Sequence, residues 1–276
     1  MRLSFYTYSY TDRLNLPVVA CLERIAAAGY SGIDVSGTHG ASDDPRSFDA
    51  ERRTLTRRTA QRLGLRIEAV VTHATLTDTL ADPDRPDLDL VGTIDLAVAL
   101  GATVVTFHMG GEHPGIGRDE LWAKVVKAVA EAADHGAARH VALAVDGIWP
   151  TWLVRDADSL ARLFDDVGSV NFGVNFDPCY LTLIGVDLNA FLGRFASRAV
   201  HAHLKDHRGT YPRWEHKVPG QGSMNYENVF RIMDKSGFKG SAAVECFTDM
   251  PFEETCDAGS KDMRDAARRA GVEFER

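Results

Sequence analysis

A chain of 276 residues with 45% apolar side chains can bury one large core and is long for an ordinary small domain. Its net charge of −8, from 39 acidic against 31 basic residues, leans away from the basic stripe that holds a nucleic-acid backbone. The four cysteines, Cys21, Cys179, Cys246 and Cys256, show no CxxC spacing, the stretch MRLSFYTYSY has no apolar signal core, and no apolar run approaches membrane-spanning length. A reduced, soluble, cytoplasmic protein is expected, with no zinc or disulfide framework built on cysteine.

In chain order, the first β-branched and aromatic run, RLSFYTY (2–8), predicts a strand. PVVACLERIAAAG (17–29) predicts a helix, with Pro17 in the first turn and Gly29 at the stop. Strands follow at SGIDVSG (31–37) and LRIEAVVTH (65–73), then a helix at 87–101 that begins with acidic residues and ends on Gly101. ATVVTFHMG (102–110) is the fourth strand, and 119–136 is a helix of the same acidic-start, glycine-stop type. HVALAVD (140–146), NFGVNFD (171–177) and AVHAHLKD (199–206) are strands five to seven. A helix at 225–240 leads into the eighth, GSAAVECF (240–247).

Strands alternating with helices imply parallel pairing with helical crossovers. Eight such units, with no GxGxxG after the first strand and no linker or composition shift, predict a single-domain (β/α)8 TIM barrel over 1–276.

In a barrel of this kind chemistry sits at the carboxyl ends of the strands. Those ends carry Asp34, His73, His108, Asp146, Asp177, His203 with Lys205 and Asp206, and Glu245. Of ten histidines, His135 and His140 fall at the opposite end. Alternation puts His201, His203, Lys205 and His207 on one face of HAHLKDH. A buried strand face of that kind needs partners, because unpaired polar groups are costly to bury.

Asp146, Asp177, His203 and Glu245 form a candidate set for one divalent ion, Mn²⁺, Co²⁺, Mg²⁺ or Zn²⁺. Glu245 lies within an apolar run, which favours function over chance. Asp146 precedes Gly147 and Asp177 precedes Pro178, so each has a turn or cap as its rival role. His73, His108 and His216 are candidates for substrate contact at the rim. Lys205 either contacts substrate or bridges to Asp206 or another acid. His201 reads as a packed core histidine, His207 as solvated, and Arg208 and Arg213 as surface residues. Of Phe5, Tyr6, Tyr8, Trp149 and Trp152, most should be core and one or two should wall the pocket.

The stretches VNFDP (174–178), HAHLKD (201–206), EHKVPGQGSMNY (215–226) and AAVECF (242–247) resemble the sugar-phosphate isomerase/epimerase family with the xylose-isomerase-like barrel. That resemblance spans essentially the whole chain. It implies metal ligation by Asp177, His203 and Glu245. In the epimerase branch, glutamates on the fifth and eighth strands also shuttle protons. Here the fifth strand departs, with Asp146 where the family has glutamate, and Tyr180 stands where the family often has a substrate-binding histidine.

The resemblance therefore implies a metal-dependent isomerase or epimerase of a small sugar, working through an enediolate, with Glu245 as base and Asp146 or a rim histidine as its partner. A lyase that eliminates a β-leaving group from a keto-inositol or oxidised glycoside shares the first step. A metal-free sugar-binding barrel is a further reading. So is a three-zinc abasic-site endonuclease using His73, His108, Asp177, His203, His216 and Glu245, against which Asp146, Tyr180 and the acidic balance argue. The expected partner is a small-molecule sugar or polyol, with no nucleic acid and no membrane, and the resemblance implies a homo-oligomer.

Overall fold

The computed structural model describes residues 1–40, 43–82, 84 and 87–275. Eight parallel strands close into a barrel: β1 (Arg2–Tyr6), β2 (Gly32–Ser36), β3 (Arg66–Thr75), β4 (Val104–His108), β5 (Ala142–Val145), β6 (Phe172–Phe176), β7 (Ala199–Leu204) and, last, the strand Ser241–Val244. All eight coincide with predicted strands, and β1 pairs with both β2 and Ser241–Val244 to close the ring. Between β7 and the last strand lie two more, β8 (Asp206–Thr210) and β9 (Arg213–Lys217), paired antiparallel as a separate hairpin. Ser241–Val244 is therefore β10. The seventh predicted strand thus ends at Leu204, and its last residue begins β8.

The sequence explains why helices alternate with these strands. Asp49, Asp89, Asp156, Asp187 and Asn225 each accept a hydrogen bond from a backbone N–H in the first turn of the helix that follows. Gly101, Gly168 and Gly271 end helices in the left-handed conformation. Two predicted helix limits shift. Residues 17–29 form a 3₁₀ turn (Val18–Ala20) and then the helix Leu22–Ala27, and the helix predicted at 225–240 ends at Lys235.

The main apolar core fills the layer between strands and helices, with Phe107, Phe172 and Phe164 among its contacts. Inside the barrel, Tyr6, Ala69, Val71, Ala144 and Ala243 make a smaller apolar layer. The amino end of the barrel holds the buried Glu68 against Arg2 at 2.6 Å. The polar residues singled out in the sequence collect at the other end.

The hairpin owes its position to one carboxylate. Asp206 is fully buried and accepts backbone N–H groups of His207 (2.7 Å), Gly220 (2.9 Å), Gly222 (2.9 Å) and Met224 (3.0 Å). A Cβ on Gly222 would collide with that carboxylate and stand 2.5 Å from the His207 carbonyl oxygen, so glycine is required there. Asp206 therefore clamps the loop 218–224 to the end of β7, rather than pairing with Lys205.

Candidate active site

Asp146, Asp177 and Glu245 each stand one residue beyond a barrel strand, and His203 is the penultimate residue of β7. All four are buried. The backbone N–H groups of Asp146 and Glu245 continue the strand ladders to Phe107 and Leu204, which fixes where their side chains leave the sheet. Asp177 also caps the helix Pro178–Leu183 by accepting the Tyr180 N–H at 2.9 Å. Its capping role and its place in the cluster coexist, because one oxygen serves each.

Lys205 joins these residues. Its ammonium is buried, 2.6 Å from Asp177 Oδ2 and 2.6 Å from Glu245 Oε2. It lies 4.4 Å from the centre of the Tyr180 ring and 5.8 Å from that of Phe247. The bridge to another acid anticipated for Lys205 exists, and its partners come from β6 and β10. Burial acts to raise the Glu245 carboxyl, but Lys205 and His203 outweigh it and hold it down at about 2. Asp146 is likewise held well below the usual carboxylate range, because Lys205 and His108 outweigh its burial.

The cluster is only partly satisfied. His203 Nδ1 and Glu245 Oε2 stand 2.9 Å apart with no aligned hydrogen bond between them, Oε2 being paired with Lys205. Two ligands about 2.1 Å from one octahedral ion, at right angles, stand about 3 Å apart. Asp146, Asp177 and Glu245 outnumber the one ammonium in the cluster, that of Lys205. Burial acts to lower His203, and the Glu245 and Asp146 carboxylates outweigh it, raising the imidazole above its ordinary value. The His203–Glu245 spacing and the carboxylate and imidazole donors suit a divalent cation, while the group of three whose donor atoms already lie within 4.8 Å of one another, among the described residues, is Asp34, His201 and His203.

Asp146 differs from the other carboxylates. Its Oδ2 meets His108 Nε2 at 2.7 Å and its Oδ1 accepts from Asn175 Nδ2. Both oxygens are engaged by neighbours.

A second group lies deeper. One donor atom from each of Asp34, His201 and His203 falls within 4.8 Å of the others, a set able to hold a metal ion. His201 Nε2 already meets Asp34 Oδ2 at 2.6 Å, and His203 Nε2 is 3.9 Å from the same oxygen. His201 is packed in the core as its strand position suggested, but its partner Asp34 was not anticipated. The alternation HAH, which puts both imidazoles on one face, was the available signal.

Above this floor the mouth is walled by rings. Tyr8 touches His73 (4.4 Å), His73 touches His108 (5.1 Å), and His108 touches Trp152 (5.6 Å). On the far side Trp149 meets Tyr180 and Trp214, and His216 meets Tyr180 and Phe247. Phe247 returns to Tyr8 at 5.3 Å. Of the five aromatic residues considered from sequence, Phe5 and Tyr6 are core while Tyr8, Trp149 and Trp152 reach the collar. Trp214 and His216 arrive on β9, so the hairpin completes the wall. His207, expected to be solvated, is buried on β8 with Nδ1 3.0 Å from the Gly209 carbonyl oxygen. A cleft of about 530 Å³ lies beside the collar, lined by Arg208, His216, Lys217, Phe247 and Asp249 among others.

Burial, reinforced by His108, pushes the His73 imidazole down to about 3. His73 should therefore stay neutral from pH 5 to 8, and its ring resonances should show no titration there. An unfolded histidine takes its proton near pH 6.5. The unfolded state thus binds more protons between pH 6.5 and 3, so His73 removes stability as the pH falls through that window.

Among the described residues, no helix is long and apolar enough to cross a membrane, and Cys21, Cys179, Cys246 and Cys256 are free and buried.

Comparison with known proteins agrees with this architecture. The chain is 26% identical over 259 residues to the rhizopine catabolism protein MocC of Rhizobium meliloti, covering 84% of this chain and 75% of that one. It is 23% identical over 162 residues to the hydroxypyruvate isomerase of Escherichia coli K12, covering 56% of this chain and 60% of that protein. A xylose isomerase domain protein from Alicyclobacillus acidocaldarius superposes with a TM-score of 0.79 at 17% identity, over 98% of this chain and 99% of the other. Relatives and structural neighbours include isomerases, sugar epimerases and dehydratases, and one neighbour holds a zinc atom. A family model matches residues 22–270, and the chain belongs to the xylose isomerase-like TIM barrel family.

Proposed function

We propose that this chain is a divalent-metal-dependent enzyme that removes the proton next to the carbonyl of a small polyhydroxylated ketone or aldehyde, and that it isomerises the substrate through a cis-enediolate. The observation that carries the reading is the buried set of Asp146, Asp177, His203 and Glu245 at the strand ends, with His203 Nδ1 3.6 Å from Asp146 Oδ1 and 2.9 Å from Glu245 Oε2. These four residues would hold the ion. When bound, it supplies Lewis acidity to the carbonyl and an adjacent hydroxyl.

Glu245 takes the proton. Lys205 and His203, 2.6 and 2.9 Å from its Oε2, hold it in the ionised form. In aldose–ketose isomerisation one base takes the proton from one carbon and returns it to the neighbouring carbon on the same face. Asp146, tied to His108 and Asn175, is poorly placed to be a second, mobile base on the opposite face. The reading therefore favours one-base isomerisation over two-base epimerisation. The aromatic collar covers the C–H faces of the substrate and keeps water from the enediolate, and His73, His108, Tyr180, Lys205 and His216 are the groups placed to meet its oxygens.

One feature favours elimination as the second reading. His108 is half-buried at the mouth and paired with Asp146 at 2.7 Å. Its Nε2 is held by Asp146 and its Nδ1 stands 3.4 Å from the His73 carbonyl oxygen, so a protonated His108 would have to turn from one of these to donate to a departing β-hydroxyl while Glu245 takes the α-proton, releasing water.

Incubation of candidate keto-sugars and keto-inositols in D₂O separates the two. Deuterium at carbon in an isomer supports isomerisation, loss of water supports elimination, and neither with any such substrate sinks both. Metal content on protein purified without chelator should be about one ion per chain and should vanish in Asp177→Ala or His203→Ala. Two or three zinc ions would contradict a single-ion site.

A further inference from the structure

Lys205 sits inside the carboxylate cluster rather than at its edge. Its Nζ donates to Asp177 Oδ2 and touches Glu245 Oε2, each at 2.6 Å. Both residues belong to the set assigned above to the ion. An ammonium in contact with those two oxygens and a divalent ion bound by the same two oxygens would stand only a few ångströms apart in a buried site, where like charges repel strongly. The two cations therefore exclude one another.

We propose that Lys205 is a built-in competitor for the metal: its ammonium occupies ligand oxygens of Asp177 and Glu245 and must move away before a divalent ion binds, so Lys205 sets the metal affinity of the site. The inference rests on the four-residue metal reading given above. Two observations separate it from an ordinary structural salt bridge. With Lys205 in place His203 Nδ1 still lacks an aligned partner, 2.9 Å from Glu245 Oε2, so the ammonium does not complete the donor set. The displaced ammonium also has somewhere to go. The Tyr180 and Phe247 rings lie 4.4 and 5.8 Å from Nζ, and both belong to the collar around the mouth. A flexible four-carbon stem lets the charge slide along ring faces while keeping cation–π contact. Metal loading would thereby turn an internal counter-ion into a substrate-facing one.

The test is calorimetric titration of Mn²⁺ into metal-stripped wild type, Lys205→Met and Lys205→Gln. Met keeps the length without the charge, and Gln keeps a hydrogen-bond donor. Both variants should bind Mn²⁺ at least tenfold more tightly than wild type, and Mn²⁺ should raise their melting temperatures more. Unchanged or weaker binding overturns the role of Lys205 while leaving the metal site standing. No binding by any of the three proteins overturns the metal reading itself. Should either variant fail to fold, a crystal structure of the wild type with Mn²⁺ decides. Nζ is expected beyond hydrogen-bond reach of both carboxylates, and an ammonium still bridging Asp177 and Glu245 beside the bound ion overturns the inference.

Discussion

Replacing Glu245 with glutamine is expected to lower turnover by about 10²- to 10⁴-fold, the range typical of losing a positioned general base, while the barrel stays folded. Glutamine keeps the volume and the ability to accept hydrogen bonds but cannot hold the substrate proton. The fold should tolerate it because the cluster carries more negative than positive charge, and Lys205 retains Asp177 at 2.6 Å. The informative measurement is exchange of the substrate α-proton with solvent deuterium, followed alongside metal content. Exchange lost with the ion still bound identifies Glu245 as the base. Exchange lost together with the ion makes it chiefly a ligand. Full turnover in the variant would end the mechanism proposed here.

Asp206→Ala should be the most destabilising single change near the site, by about 3–5 kcal/mol. Hydrogen bonds to a charged group contribute about 1.5–3 kcal/mol each, and the substitution removes four at once, with water recovering part of the loss. Asp206→Asn should recover little, since its amide end presents donors to backbone donors. Urea unfolding should show a lower midpoint with an unchanged slope. Turnover should fall as well, because the released loop frees the hairpin that carries Trp214 and His216 to the mouth. A midpoint shift equivalent to less than about 1 kcal/mol would mean that the loop is held by packing and not by this carboxylate.

The eight barrel strands were legible because their signals are local. Short β-branched runs such as ATVVTFH, glycine at helix stops and acidic helix starts each act over a few residues. The polar rim was legible for a related reason. Once the strands are placed in a barrel, residues at their carboxyl ends must converge, and Asp146, Asp177, His203 and Glu245 do so. Period-two alternation also put Lys205 on the face of His203, but not what it would meet there.

Contacts between distant segments needed the tertiary structure. Lys205 lies between Asp177, 28 residues away in sequence, and Glu245. His201 pairs with Asp34 across 167 residues. Asp206 turns from its neighbour Lys205 to collect N–H groups from a loop up to 18 residues on, and in doing so folds what read as a strand-7 loop into the β8–β9 hairpin. His207 is buried for the same reason. By itself the sequence determined the barrel and which side chains gather at its mouth, since periodicity and strand ends are properties of neighbouring residues. Which carboxylate meets which cation, and which rings close the wall, were decided only when barrel closure brought remote segments within a few ångströms, where hydrogen bonding and charge choose among partners that no local pattern ranks.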